Sequence, residues 1–416
     1  MGTVTVGVMR LLHTSDWHLG RTLHGVDLLP YQAAHLDHLV EVVRAERVDA
    51  VVVAGDVYDR GIPPVEAVSV LSDALARLAE LTTVVVTSGN HDSAARLGFG
   101  SALMRERVAL RTRVAALAEP VEVGCGLLIY GLPYLDPDFA RAQLAEPVDD
   151  EPGGRGEPVD DEARVGGAGP AGPRLLARSH EAVLAAAMRR VRADRARRAA
   201  DARVVVVAHA FVVGGAASES ERDIRVGGVD QVPAGVFAGA DYVALGHLHG
   251  PQRVAGPQGT VLQYSGSPLA FSFGEAAHHK SSALVDLSGP EPRVELVPAP
   301  VPRPLADVSG TLEQLLGAAG EPYLDHWLRV TVTDEVRPVD LFARLRARFG
   351  HVLVVQHQSA GGRERGGRAA AVTSSADPLA VATDFVRHVT GAAPTAAEAG
   401  VLRRAYEDVM AAERSA

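Results

Sequence analysis

Five short motifs carrying metal-ligating side chains follow one another along the chain: Asp16-Trp17-His18, Gly55-Asp56, Gly89-Asn90-His91-Asp92, Ala208-His209 and Gly246-His247-Leu248-His249. Carboxylate, imidazole and amide oxygen together suit borderline divalent ions such as Mn, Fe or Zn better than Ca or Mg, which favour all-oxygen shells. Thiolate ligation is excluded, because the sole cysteine, Cys125, falls in none of the motifs. A centre with two ions roughly 3.5–4 Å apart needs a carboxylate that reaches both. Asp56 is the natural bridge, since Gly55 before it lets the backbone turn sharply. Asp16, His18 and His249 are expected at one ion, and Asn90, His209 and His247 at the other. Two cations lower the pKa of a bound water and clamp a phosphate for in-line attack, so the chemistry implied is hydrolysis of a phosphate ester. His91 is expected to face the leaving group as acid or hydrogen-bond donor, with Asp92 fixing its ring through the second nitrogen.

Each motif alone is weak. Asp-x-His is usually a cap or surface pair and Gly-Asp a common turn; their order, each behind an apolar run, makes coincidence a poor explanation. The runs are 10–14, 50–54, 84–87, 204–208 and 242–245, short and rich in β-branched residues, which reads as buried strands. Amphipathic helices are expected between them, over 31–46 with Leu36, Leu39, Val40 and Val43 on one face, and after Pro63-Pro64 with Val65, Val68, Leu75 and Leu78. Strand and helix alternation is α/β order, and ligands in such sheets gather beyond the carboxyl ends of the strands. Five strand ends are therefore expected to converge on one cleft. His13 reads as a strand residue, and the remaining histidines as surface or packing residues.

The chain has 416 residues, a net charge of −10 and one cysteine. That length exceeds one typical domain. A single cysteine forbids an intramolecular disulfide and suits a reducing, cytoplasmic setting. No run approaches the ~20 apolar residues of a membrane span, and residues 1–8 have no leader pattern. Met9 stands immediately before the first strand, so Met1 and Met9 are both candidates for the native start. Acidity argues against avid, unaided binding of a polyanion, so a partner or local arginines such as Arg189, Arg190, Arg192, Arg195, Arg197, Arg198 and Arg203 would have to assist; a solvated helix face is the plainer reading of that cluster. Lys280, the only lysine, follows His279 where a P-loop needs Gly, so any ATP dependence must come from another chain.

Taken with these motifs, Thr14-Ser15-Asp16-Trp17-His18-Leu19-Gly20, Gly55-Asp56-Val57-Tyr58-Asp59-Arg60, and 266–275 with Lys280-Ser281 resemble the SbcD-type nucleases of the calcineurin-like metallophosphoesterase superfamily. Ser218-Glu219-Ser220-Glu221-Arg222 and Pro251-Gln252 resemble them too. The resemblance covers about residues 9–290 well and the remainder loosely. It implies an α/β fold, a two-sheet metallophosphoesterase sandwich flanked by helices, with a smaller α/β capping domain and C-terminal helices. It implies two divalent ions, Mn2+, serving a double-strand exonuclease that also nicks hairpins and blocked ends in DNA repair, recombination and replication. An SbcC-like coiled-coil ATPase is the implied partner, double-stranded DNA ends and hairpins the substrate, and a homodimer through helices near 65–107 the implied assembly. Asp59 stands where relatives carry acid or imidazole.

The expected domains are 1–297 for the nuclease, with a disordered insertion at 146–173 that is rich in Gly, Pro and acids, 298–393 for a cap over DNA, and 394–416 for a partner-docking helix. A helix over 174–200 and strands at 261–264 and 282–287, completing a second sheet, are expected within the first. The cap follows the Pro-rich junction 298–304, with strands at 327–333 and 352–356, a helix at 339–348 and a break at 361–375. Two other functions fit the motifs: a phosphomonoesterase or cyclic-nucleotide phosphodiesterase using the same two ions, which needs no cap, and a metal-free scaffold, which leaves the complete ligand set without purpose.

Overall fold

Val51 and Val53 face one way from the strand Ala50–Ala54 and Val52 and Ala54 the other, and all four are buried. A strand covered on both faces has no polar side to show, which is why its sequence is a continuous apolar run. The computed structural model describes residues 9–104, 107–124, 126–145, 175–221, 231–359, 378–390 and 393–413. The expected insertion at 146–173, the break at 361–375, Cys125 and residues 1–8 lie outside the described residues.

Two six-stranded sheets stack face to face. The first runs Arg293–Pro298, Ser281–Asp286, Arg10–Thr14, Ala50–Ala54, Thr83–Thr87, Val108–Arg111, the last four parallel and the first two antiparallel. The second runs Gln252–Val254, Val261–Tyr264, Tyr242–Gly246, Arg203–His209, Leu127–Gly131, Val121–Val123, parallel except at its two edges. Leu11, Val52, Ala54 and Val85 from one sheet meet Ile129, Val205, Val207 and Ala244 from the other in the layer between them. Outside the first sheet lie the helices Leu29–Glu46 and Val65–Leu81, and outside the second His180–Arg195.

One expected strand changes sheets. The segment foreseen at 282–287 lies at Ser281–Asp286 and pairs antiparallel with Arg10–Thr14, so it extends the first sheet rather than the second. Ala283 and Val285 then fill the layer between the sheets while Leu284 turns to the helices. The helix foreseen over 174–200 is shorter, His180–Arg195, started by the Ser179 hydroxyl. Past its end, Arg198 pairs with Asp194 and Glu122, while Arg192 and Arg195 donate to carbonyls at its C-terminal end and in a neighbouring loop. Arg192, Arg195 and Arg198 are thus engaged within the fold, which neither reading of the cluster foresaw.

The chain divides into two compact units, 1–332 with 339–356, and 333–338 with 357–416. The first also holds most of a three-stranded sheet ordered Leu305–Gly310, Trp327–Val332, Val352–His357, with the helix Leu341–Arg348. Trp327 and Leu305 are buried with Leu23, Leu28, Leu269, Phe271 and Phe273 of the larger sandwich. Truncating a buried Trp typically costs about 3–5 kcal/mol, so this cluster joins the small sheet to the sandwich firmly. The second unit carries the helices Pro378–Thr390 and Ala396–Glu413, with Phe385 and Val401 exposed. Among the described residues no helix is long and apolar enough to cross a membrane.

Candidate metal centre

All five motif strands end on the same side of the sandwich, and their last residues turn in unusual ways. Asp16, His18, Asp56 and His247 have φ of 54°, 46°, 49° and 104°, a left-handed region that non-glycine residues rarely occupy. Gly55, at φ 82°, supplies the sharp turn expected before Asp56. Backbone bonds fix the result: Asp16 N–H donates to the Gly55 carbonyl at 3.1 Å and His18 N–H to that of Asp56 at 2.9 Å. Gly246 is small for a different reason, since a Cβ there would overlap the Ala54 carbonyl of the facing sheet. The two sheets therefore approach closely beside the ligands.

The structure brings together all seven expected ligands. Asp16, His18 and His249 have donor atoms within 4.8 Å of one another, as do Asp16, Asp56 and His209, and as do His18, Asp59 and His91. Asp56 Oδ2 lies 3.6 Å from His18 Nε2 and 3.4 Å from His209 Nε2, the position a bridge requires. Asn90 Oδ1 is 2.8 Å from His209 Nε2 and 3.3 Å from His247 Nδ1. Asp59, a marginal residue in the sequence, joins the cluster beside His18 and His91.

The donor set fits divalent cations. His209 Nδ1 donates to the Ala54 carbonyl at 2.9 Å, which only accepts, so Nε2 is the ring atom turned toward Asn90 Oδ1 and Asp56 Oδ2. The two oxygens and Nε2 converge there around a shared positive charge, a proton on Nε2 in the metal-free chain or a cation in its place. The electrostatics agree. Burial works against a charged His209, yet the Asp56 carboxylate outweighs it and raises the imidazole to about 9. Burial likewise opposes ionised Asp56, while His209, His18 and His91 hold its carboxyl well below the usual range. Asp16 is pushed up to about 6, mainly by burial, and burial keeps His18 and His247 well below the usual histidine value. Buried neutral imidazoles beside carboxylates that attract positive charge are what a borderline cation binds.

His91 stands at the mouth, its side chain 14% exposed and Nε2 4.0 Å from Asp56 Oδ2. Its ring orientation corrects the expectation for Asp92. His91 Nδ1 bonds the backbone carbonyl of Asp59 at 2.8 Å, not Asp92. The Asp92 carboxylate instead accepts the backbone N–H groups of Val57, Tyr58 and Gly89, because the tight turn after His91 folds it back under the loop. Burial first, then Asp56, pushes Asp92 up to about 7. Its role is to staple the Gly55 and Gly89 loops together. His13, by contrast, is the strand residue foreseen, bonded to Tyr242 and the Leu245 carbonyl.

Sequence reasoning missed a second layer. Glu275, Lys280, Ser220 and Glu221 surround His249 from the side away from the cluster. The signal was present, since these residues lie in the stretches 218–222 and 266–281 that carried the resemblance.

The profile of the calcineurin-like phosphoesterase family matches residues 9–136, and that of the SbcD C-terminal family, described as the type 5 capsule protein repressor C-terminal domain, matches 301–390. A Bacillus subtilis (strain 168) protein, named as the D component of the nuclease SbcCD, is 36% identical over 285 residues, 67% of this chain. The matched stretch spans 66% of that relative, just under two thirds of its length. Two crystal structures are also similar at 13% identity: a Thermus thermophilus protein covering 70% of this chain and 99% of its own, TM-score 0.36, and a dimetal phosphatase from Danio rerio covering 69% and 98%, TM-score 0.38. Those scores are too low for either to define the fold. The motifs, the donor set and the two family matches agree: the chain carries a calcineurin-like metallophosphoesterase domain followed by an SbcD-type C-terminal domain.

Proposed function

We propose that the protein is a manganese-dependent DNA nuclease of the SbcD type, degrading double-stranded ends and nicking hairpins. The observation that carries this reading is the second family match at 301–390, beyond the phosphoesterase sandwich, together with 36% identity to a protein named as a nuclease component. A phosphomonoesterase needs no such addition. In this reading Asp16, His18 and His249 hold one ion, Asn90, His209 and His247 the other, and Asp56 both. When bound, the two ions would supply Lewis acidity and lower the pKa of a water so that it can give up its proton and act as the nucleophile.

The chain's own residues do the rest. With His91 Nδ1–H held by the Asp59 carbonyl, Nε2 is the atom that, once protonated, can hand a proton or hydrogen bond to the departing oxygen. Asp92, through its backbone bonds, keeps the loop bearing His91 fixed against the loop bearing Asp56. We place 298–393 as the cap over DNA and 394–416 as the segment that docks an SbcC-like ATPase, in the cytoplasm. A homodimer is supported by the exposed Val65, Val68, Phe99, Leu103 and Met104 in and beyond the helix Val65–Leu81.

The test is a Mn2+-supplemented assay on hairpin-ended duplex DNA, with and without the ATPase. Wild type should cut, Asp56→Ala should not, and His91→Ala should lose about a hundredfold or more in kcat with its metal content unchanged. Efficient cleavage of monoesters or cyclic nucleotides with no cleavage of DNA would select the phosphatase reading instead.

A further inference from the structure

Every polar atom of His249 but its Nε2 is held from outside the metal-ligand cluster. Its backbone N–H donates to Glu221 Oε1 at 2.9 Å, and its carbonyl accepts from Lys280 Nζ at 3.0 Å and from Ser267 N–H at 3.1 Å. Its Nδ1 lies 2.6 Å from Ser220 Oγ and 3.3 Å from Glu275 Oε1. Nε2 alone points into the cluster, where it meets His18 Nε2 at 3.2 Å.

The hydrogens on that side have one consistent arrangement. Ser220 has a single hydroxyl hydrogen, and the Glu275 carboxylate, which also takes the Phe271 N–H at 3.2 Å, only accepts. The hydroxyl therefore donates to Glu275, its oxygen accepts His249 Nδ1–H, and Nε2 keeps its lone pair for a cation. Glu275 itself is buried, and a buried carboxylate needs partners for its oxygens. The Ser220 hydroxyl, the Phe271 N–H and the Lys280 amine supply them. Lys280, also buried, directs its three N–H donors to Glu275, Ser267 Oγ and the His249 carbonyl.

We infer that Ser220, Glu275 and Lys280 are positioning residues that fix the tautomer and ring of His249, so that the ion at this end of the centre depends on a side-chain relay. The inference rests on the dinuclear reading above and names what controls one of its two sites. A carboxylate behind a ligating histidine raises the ring's donor strength, and loss of such a partner typically weakens metal binding about 10- to 100-fold.

Mn2+ alone is the probe, titrated into metal-free protein and followed by the EPR signal of free Mn2+ and by the exchange coupling of a filled pair. Wild type should take two ions. Ser220→Ala, a change on a partly exposed loop, should keep one ion at unchanged affinity and hold the other about 10- to 100-fold more weakly, with the coupled signal lost at low Mn2+. Ser220→Thr, which keeps the hydroxyl, should restore both. Glu275→Leu with Lys280→Met should remain folded, since a buried ion pair is often replaceable by apolar residues, and should show the same one-site loss. Two-site binding undisturbed by Ser220→Ala, or equal weakening of both sites, overturns the relay. A wild-type chain that binds no Mn2+ overturns the dinuclear reading and the relay with it.

Discussion

His209 and His249 stand at opposite ends of one donor set and are held by different means. His209 leans on a backbone carbonyl, that of Ala54, presented by the neighbouring sheet. His249 leans on side chains drawn from residues 218–221 and 266–280. The first support exists as soon as the two sheets stack, because strand register places the carbonyl. The second exists only when a loop, a buried carboxylate and a buried amine all arrive together. One end of the centre is thus secured by the fold itself and the other by residues that substitution can alter without moving a strand.

Three perturbations put that contrast at risk. The largest effect should come from Asp56→Asn, which touches both ends. Several kcal/mol of charge stabilisation go with the bridge, so kcat should fall about a thousandfold or more, and mass-spectrometric metal analysis should find both ions lost. Next, Gly246→Ala pushes a methyl into the Ala54 carbonyl and toward His209 Nδ1. Overpacking of this kind costs about 1–3 kcal/mol, read by urea unfolding, and should weaken the His209 end while the His249 end still binds.

The smallest effect is in pH. His209 has its folded value raised to about 9 from 6.5, so its contribution to the metal-free protein is fully present below pH 6.5 and is lost as pH rises through about 9. Glu275 has its folded value lowered from 4.5, so its contribution is present above pH 4.5 and is lost as pH falls through the folded value. Melting temperatures of the metal-free chain should therefore decline on the alkaline side through one end and on the acid side through the other. His209→Gln should flatten the alkaline limb, and an alkaline limb unchanged in that variant would refute the assignment.

The parts of the site that were legible in the sequence are those written as strand followed by ligand. Val51, Val52, Val53 and Ala54 announce a doubly covered strand, and Gly55-Asp56 after it announces the turn and the bridge. The sheet to which 281–286 belongs was not legible, because Ala283 and Val285 alternating with Leu284 suit an edge of either sheet, and only pairing with Arg10–Thr14 decides it. Asp92 beside His91 looks like a partner to the ring, but the backbone turn between them points its carboxylate at the N–H groups of Val57, Tyr58 and Gly89. Glu275 lies in a short helical turn and Lys280 just ahead of the strand Ser281–Asp286, so no periodicity marks them. Their meaning depends on what a distant loop brings to them.

Lys280 has one more consequence. It is the only lysine among 41 Lys and Arg residues, and it is 4% exposed. Reagents that acylate amines, or enzymes that tag them, therefore meet arginine but no lysine amine on the surface of the folded protein. Acylation of residue 280 would then time the opening of the loops around His249, and bound metal should slow it.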